Sequence, residues 1–138
     1  MKNRIFIGEF VGSAFLVMII VGSGIMAQNL TRDFAVMLLA NTLATGAGLF
    51  VLINSIADIS GAHFNPAVTM VMYFTKKIKK DLIVTYLSAQ ILGCLLGVML
   101  ANFMFELPLI ELSKKVRPGF NIFIAELIAT FGLIFIIF

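Results

Sequence analysis

A handful of residues in this apolar chain are of types that could do chemistry: an asparagine followed by proline, two glutamates and one histidine. Asn65-Pro66-Ala67 opens a short apolar stretch, Pro66–Thr75. Asparagine is a favoured N-cap, and proline suits the first helical position, where its missing N–H would have no partner. A helix starting there aims the positive end of its dipole, about half an elementary charge, at whatever lies in front of Asn65. That field repels cations and hydronium, while the Asn65 amide can donate to the oxygen of a passing water or hydroxyl compound. Just before it, Gly61, Ala62 and His63 would add a ladder of backbone carbonyl acceptors. The bland reading of Asn65 and Pro66 is a plain helix cap. A lone histidine is more often a packed, hydrogen-bonded side chain than a ligand or base, and the His63 ring is read that way. Cys94 lies in an apolar run. One cysteine and one histidine make neither an intrachain disulfide nor a metal site, so no metal or other cofactor is expected.

Glu9 and Glu126 each stand inside a long apolar run. A charged residue at the centre of a span costs about 2.5–3.5 kcal/mol even on the lenient insertion scale, so its placement is seldom idle. Laid over one another, Phe6-Ile-Gly-Glu-Phe-Val-Gly-Ser13 and Phe123-Ile-Ala-Glu-Leu-Ile-Ala-Thr130 match at Phe6/Phe123, Ile7/Ile124 and Glu9/Glu126, with small residues at Gly8/Ala125, Gly12/Ala129 and Ser13/Thr130. The segments read as equivalent spans, the first and the fourth. A repeat unit of three spans is odd and reverses direction on repetition, giving inverted halves with a site at their interface near the midplane.

The elements that must position these residues follow from composition. Of 138 residues, 61% are hydrophobic and 12% charged, and the mean hydropathy is +1.09. Those values exclude a disordered chain and a soluble globular domain, which needs polar residues to cover its surface. The net charge of +3 is too small and too scattered for a nucleic-acid surface. An all-α membrane protein remains. A hydrocarbon core of about 30 Å needs about 20 apolar helical residues, and Ile5–Ala27, Phe34–Ala57, Leu82–Phe105 and Phe120–Phe138 meet that standard. The first follows Met-Lys-Asn-Arg as a signal peptide would, but it is too long for an h-region and contains Glu9, so it reads as a retained span.

Between the second and third spans, Pro66–Thr75 as a helix rises only about 15 Å, half of the bilayer core. Asp58–Asn65, if extended, reaches from the surface back to the midplane. Lys76-Lys77-Ile78-Lys79-Lys80 then requires water or headgroups. The segment 58–75 therefore reads as a re-entrant loop and half-helix. An interfacial amphipathic helix is the weaker alternative, because Ala67–Met72 has no charged face. With the N-terminus inside, Lys2, Arg4 and the lysine run are cytoplasmic, while Arg32, Lys114, Lys115 and Arg117 are outside, a modest positive-inside bias. Tyr73 and Tyr86 bracket the lysine run as interfacial anchors would, and Asp58 reads as a solvated loop charge. Gly8/Gly12 and Gly93/Gly97 form small-xxx-small faces for close helix packing.

Ser60-Gly-Ala-His-Phe-Asn-Pro-Ala-Val-Thr69 resembles the first Asn-Pro-Ala loop of the aquaporin and aquaglyceroporin family, the major intrinsic proteins. Glu9-Phe-Val-Gly-Ser13 resembles that family's first-helix pattern, and Tyr86-Leu-Ser-Ala-Gln90 its third-helix pattern. The resemblance runs through nearly the whole chain but covers only the family's N-terminal half plus one helix. It implies a passive channel, not an enzyme, with Asn65, Pro66, Ala67, Gly61, Ala62 and His63 along the pathway. It also implies that Thr45 is the second helix's contribution to the constriction. Strict water channels usually carry phenylalanine there and glycerol channels tryptophan, so threonine implies a wider opening. Val21-Gly-Ser-Gly24 with Ala40-Asn-Thr-Leu-Ala-Thr-Gly46 resembles a bacterial subgroup linked to small neutral solutes, metalloid hydroxides among them.

The resemblance further implies that Glu9 and Glu126 brace re-entrant loops through hydrogen bonds rather than relay protons. In the inverted arrangement, Glu126 is expected to reach Gly61–Phe64, and Glu9 the matching loop of a second half that these residues do not contain. The expectation is thus a single membrane domain over residues 1–138, the first repeat of an inverted-repeat fold truncated in its second repeat. It would lie in the plasma (inner) membrane among lipids, as a family-like tetramer or paired with a second half, and conduct water or small neutral solutes once completed. The rival expectation is a non-conducting fragment or subunit that packs against full-length relatives.

Overall fold

The computed structural model describes residues 1–111 and 119–137. Lys114, Lys115 and Arg117, assigned above to the outer side, and the terminal Phe138 lie outside the described residues. The described chain forms four long apolar helices and one half-length helix: α1 Lys2–Leu30, α2 Phe34–Ser60, α3 Pro66–Phe74, α4 Ile83–Met104 and α5 Phe120–Ile137, with a 3₁₀ turn at Lys80–Leu82 leading into α4. The four long ones have the length and composition to cross a membrane.

Local signals set the ends. The Asp33 carboxylate caps α2 by accepting from the N–H groups of Ala35 (2.8 Å) and Val36 (3.3 Å). Past α2, Gly61 takes a left-handed conformation (φ 92°), and its N–H bonds back to the Ala57 carbonyl. At α3, Asn65 is the N-cap and Pro66 follows it. Its far end closes with Lys76 left-handed (φ 61°) and the Lys77 N–H donating to the Met72 carbonyl at 2.8 Å, a Schellman-type closure.

Helix α2 runs on through Ser60, so the approach to the half-helix is Gly61–Asn65 alone, not an extended Asp58–Asn65. Nor is that approach extended throughout, since Gly61, Ala62 (φ 50°) and Phe64 (φ 48°) all have positive φ. Three left-handed residues within four turn the chain back sharply, and for Ala62 and Phe64 that conformation carries a steric cost which surrounding contacts must offset.

Helix α1 packs between α2 and α4, and α3 packs on α4 and meets α5. The α1–α4 contact is close because of glycine. A Cβ built on Gly93 would overlap the Phe10 carbonyl oxygen, and one on Gly97 would overlap that of Ala14. On α1, a Cβ at Gly8 would sit 2.9 Å from Ser60 Cβ, and one at Gly12 would overlap the Phe64 ring. The small faces thus do different work: Gly93 and Gly97 admit another helix, whereas Gly8 and Gly12 admit the end of α2 and the loop.

One end of the bundle gathers the N-terminus of α1, the end of α2 and the start of α4. Lys2 Nζ lies 3.5 Å from Asp81 Oδ2, and Arg4 Nη2 donates to the Asp58 carbonyl at 3.0 Å. Ile5, Leu82 and Tyr86 form a buried apolar cluster beneath, with Ile78 packed against it. Tyr86 is only 3% exposed, which corrects the expectation that it anchors the chain at the membrane interface. The opposite pattern holds on α2 and α5. Only Ile56 and Ser60 of α2, and no residue of α5, are buried within the described chain.

Candidate functional site

The site is built around Glu9, which α1 carries into the interior at 0% exposure. Its Oε1 accepts from Ser60 Oγ at 2.7 Å and the His63 N–H at 2.9 Å. Its Oε2 accepts from the Phe64 N–H at 2.8 Å and Gln90 Nε2 at 2.9 Å. Four donors meet two oxygens, the complement of an acceptor-only carboxylate. Charge-assisted bonds of this kind contribute about 1.5–3 kcal/mol each. They offset the strain of the left-handed turn, since two of the donors are its own backbone N–H groups.

A second layer of contacts ties the turn to the half-helix. Gln90 Nε2 also donates to Thr69 Oγ1 at 3.0 Å, and Thr69 Oγ1 donates to the Asn65 carbonyl at 3.2 Å. His63 Nδ1 lies 3.1 Å from the same Thr69 oxygen. The ring stacks on Tyr86 with centroids 4.3 Å apart and planes 13° from parallel, and the Tyr86 hydroxyl donates to the Ser60 carbonyl. Ser60 Oγ in turn accepts from the Ala62 N–H at 3.2 Å. The His63 ring is therefore a packed, hydrogen-bonded side chain.

Asn65 shows how the half-helix meets its surroundings. Its Oδ1 accepts from the Ala67 N–H at 2.8 Å, which fixes the amide orientation. Among the described residues Nδ2 donates to nothing, and the carbonyls of Gly61, Ala62 and His63 accept nothing. Ala62, His63, Phe64 and Asn65 line a cavity of about 220 Å³ together with Leu16 of α1, Leu49 and Ile53 of α2, Val68 of α3, and Leu133, Ile136 and Ile137 of α5. Pro66 and Ala67 stand behind Asn65 in the first turn of α3. Thr45 is outside this lining but precedes Leu49 and Ile53 on their helical stripe, and its Oγ1 is buried without a partner among the described residues. Nearby, Asn41 Nδ2 donates to the Ile20 carbonyl (2.8 Å) and Ser23 Oγ (2.9 Å), joining the two stretches quoted above, Val21–Gly24 and Ala40–Gly46.

The part expected of Glu126 falls to Glu9. Glu9, not Glu126, reaches Ser60–Phe64. Among the described residues Glu126 makes no hydrogen bond and lies exposed on α5, beside Phe123, Leu127 and Thr130. The expectation carried the brace across the inverted repeat. Instead Gly8 and Gly12 flank Glu9 on α1, and their missing side chains bring the turn to the carboxylate of the same unit. Gln90, Thr69 and Ser60 were quoted above only as parts of motifs. Each is a polar residue within an apolar run, and that signal marks them as partners of Glu9 and Asn65.

Long apolar helices around a half-length one, with an asparagine cap facing a cavity and a buried carboxylate behind it, define a polytopic membrane protein. The family model for the major intrinsic protein family matches residues 1–138, and the chain belongs to that family, whose members are channels and not enzymes. It is 44% identical over 128 residues to the aquaglyceroporin AqpS of Rhizobium meliloti (strain 1021), covering 93% of this chain and 55% of the relative. It is 36% identical over 140 residues to the aquaporin NIP3-1 of Arabidopsis thaliana, covering 95% of this chain and 43% of that one. Against the probable aquaporin PIP2-8 of the same plant it is 33% identical over 142 residues, 98% of this chain and 51% of the other. The chain spans about half the length of the curated relatives it matches.

Proposed function

We propose that this chain supplies one half of a passive pore for water and small neutral solutes, and that the Asn65 end of α3 is its selective element. The observation that carries the reading is the capped half-helix opening on a cavity. Asn65 Oδ1 is held in the cap, so Nδ2 is presented as a donor, beside the carbonyls of Ala62 and His63, which are unpaired among the described residues and act as acceptors. A hydroxyl compound passing this point meets donors and acceptors in succession and exchanges its hydration shell for them. The positive end of the helix disfavours cations and hydronium there. Thr45 would contribute a small polar side chain to the narrowing further along α2. Solutes wider than water fit that residue, glycerol-like polyols and metalloid hydroxides among them, and the relative bearing the name aquaglyceroporin supports the same class.

The exposed faces of α2 and α5, with the carboxylate of Glu126 unpaired among the described residues, support completion of the pore by a second half or a pairing chain, within a homo-oligomer. The plasma membrane, with the N-terminus and the lysine run cytoplasmic, is the location this reading takes. The test is stopped-flow swelling of vesicles reconstituted with the full chain, under water and glycerol gradients and with an internal pH dye. Swelling faster than in protein-free vesicles, without proton entry, and slowed by Asn65→Ala, is expected. Permeability equal to protein-free vesicles with the chain folded would favour the other reading, a non-conducting subunit that packs against full-length relatives.

A further inference from the structure

The loop between α3 and α4 is charged beyond what its local structure needs. Lys76, Lys77, Lys79 and Lys80 are all exposed, and Ile78 between them is packed on the buried cluster of Ile5, Leu82 and Tyr86. The loop is thereby pinned at its centre, with a lysine pair on each side of the pin. Lys76 holds a left-handed conformation (φ 61°) at the position where helix ends usually place glycine. A lysine there carries a steric cost that glycine would not, and it adds a charge. The C-terminal dipole of one short helix is answered by a cation or two, not by four.

Among the described residues the acids at this end form no ion pair with Lys76, Lys79 or Lys80. Asp81 is engaged by Lys2 at 3.5 Å, and Asp58 lies beside Arg4, whose guanidinium donates to its carbonyl. Phe74, 70% exposed, stands immediately before the lysines at the end of α3, its ring 5.5 Å from that of Tyr73. An exposed aromatic next to a lysine cluster, at the rim of membrane-spanning helices, matches the level where acyl chains give way to headgroups.

We propose that Phe74 and the Lys76–Lys80 loop form a docking surface for the phosphate of anionic phospholipid headgroups. The lysines take the phosphodiester oxygens and Phe74 takes the first carbons of the acyl chains. The surface is independent of conduction, since none of its residues lines the cavity at Asn65. Lipid held there would fix the depth of the half-helix in the bilayer through Ile78 and the closing turn of α3.

The experiment is native mass spectrometry of the full chain in neutral detergent, titrated with phosphatidylglycerol, with phosphatidylcholine, and with inorganic phosphate. Each lysine near an anionic surface is worth about fivefold in affinity. A preference for phosphatidylglycerol over phosphatidylcholine of at least about tenfold is therefore expected, lost in high salt and lost when all four lysines are replaced by glutamine (Lys76→Gln, Lys77→Gln, Lys79→Gln, Lys80→Gln). Helicity by circular dichroism shows whether that variant is folded, and the salt arm on the native chain decides the matter if it is not. Equal retention of the two lipids by the native chain would overturn the proposal. So would an undiminished preference in the folded variant or at high salt. Displacement of phosphatidylglycerol by millimolar inorganic phosphate would overturn the lipid source and leave a site for free phosphate.

Discussion

Phe6–Ser13 of α1 and Phe123–Thr130 of α5 share a pattern, including a glutamate at the same place, yet the two glutamates live in opposite surroundings. Glu9 is fully buried and takes four hydrogen bonds from the end of α2, the turn and α4. Glu126 is exposed on a helix with no buried residue in the described chain. The difference lies in what the rest of the molecule brings to each. Glycines at positions 8 and 12 let Ser60 and Phe64 close on α1, and glycines at 93 and 97 let α4 approach. On α5, Gly132 has nothing within 4 Å of where a Cβ would stand. A motif of apolar residues around a carboxylate therefore specifies a potential brace, and only a loop arriving with unpaired N–H groups makes it one.

The largest test of this contrast removes each carboxylate. Glu9→Ala leaves four buried donors without their acceptor and is expected to destabilise the chain by about 3 kcal/mol or more. Glu126→Ala should stay within about 0.5 kcal/mol. Unfolding of both variants in detergent, followed by circular dichroism, gives the comparison, and similar losses from the two would contradict it. Next come the glycines. Gly93→Ala places a methyl against the Phe10 carbonyl, forces α1 and α4 apart, and should cost about 1–3 kcal/mol. Gly132→Ala meets open space and should raise stability by up to about 1 kcal/mol through helix propensity. The same melts decide it, and a gain at Gly93 would mean that the close crossing is not the packed state.

Two smaller effects sharpen the picture inside the braced region. Tyr86→Phe keeps the stack on His63 and deletes the hydroxyl that serves the Ser60 carbonyl, for an expected loss of about 1–2 kcal/mol. No change in the unfolding midpoint would show that the stack alone holds the ring. Ser13 is fully buried on α1, but its Oγ has no partner among the described residues. Ser13→Ala should leave stability unchanged or raise it by less than about 1 kcal/mol, because no bond is lost and a buried hydroxyl is removed. A clear loss would reveal a partner for Ser13, such as a bound water shared with the equally unpartnered Gln90 Oε1.

Much of this was legible in the chain itself. Apolar runs of membrane-spanning length fix α1, α2, α4 and α5, because a helix satisfies its own backbone and a bilayer offers no other partner. Asn65-Pro66 fixes the start of α3, and the lysine run its end, because caps and charges act over a single turn. The small-residue faces announced close packing without saying against what. Three readings were decided elsewhere. Tyr86 looked like an interfacial anchor because sequence gives its distance from the lysines, not its direction, and α4 turns it inward onto His63. Asp58–Asn65 looked extended because glycine and polar residues do not distinguish a strand-like approach from a left-handed turn. Repeat symmetry points Glu126 at the turn because it relates spans without ranking their contacts. Period, length and capping are local properties, so the 138 residues determined which segments are helices and where the half-helix begins. Which carboxylate meets which N–H depends on helix rotation and separation, and only the packing of α1 against the end of α2 and the turn at Gly8 and Gly12, and against α4 at Gly93 and Gly97, decided that it is Glu9.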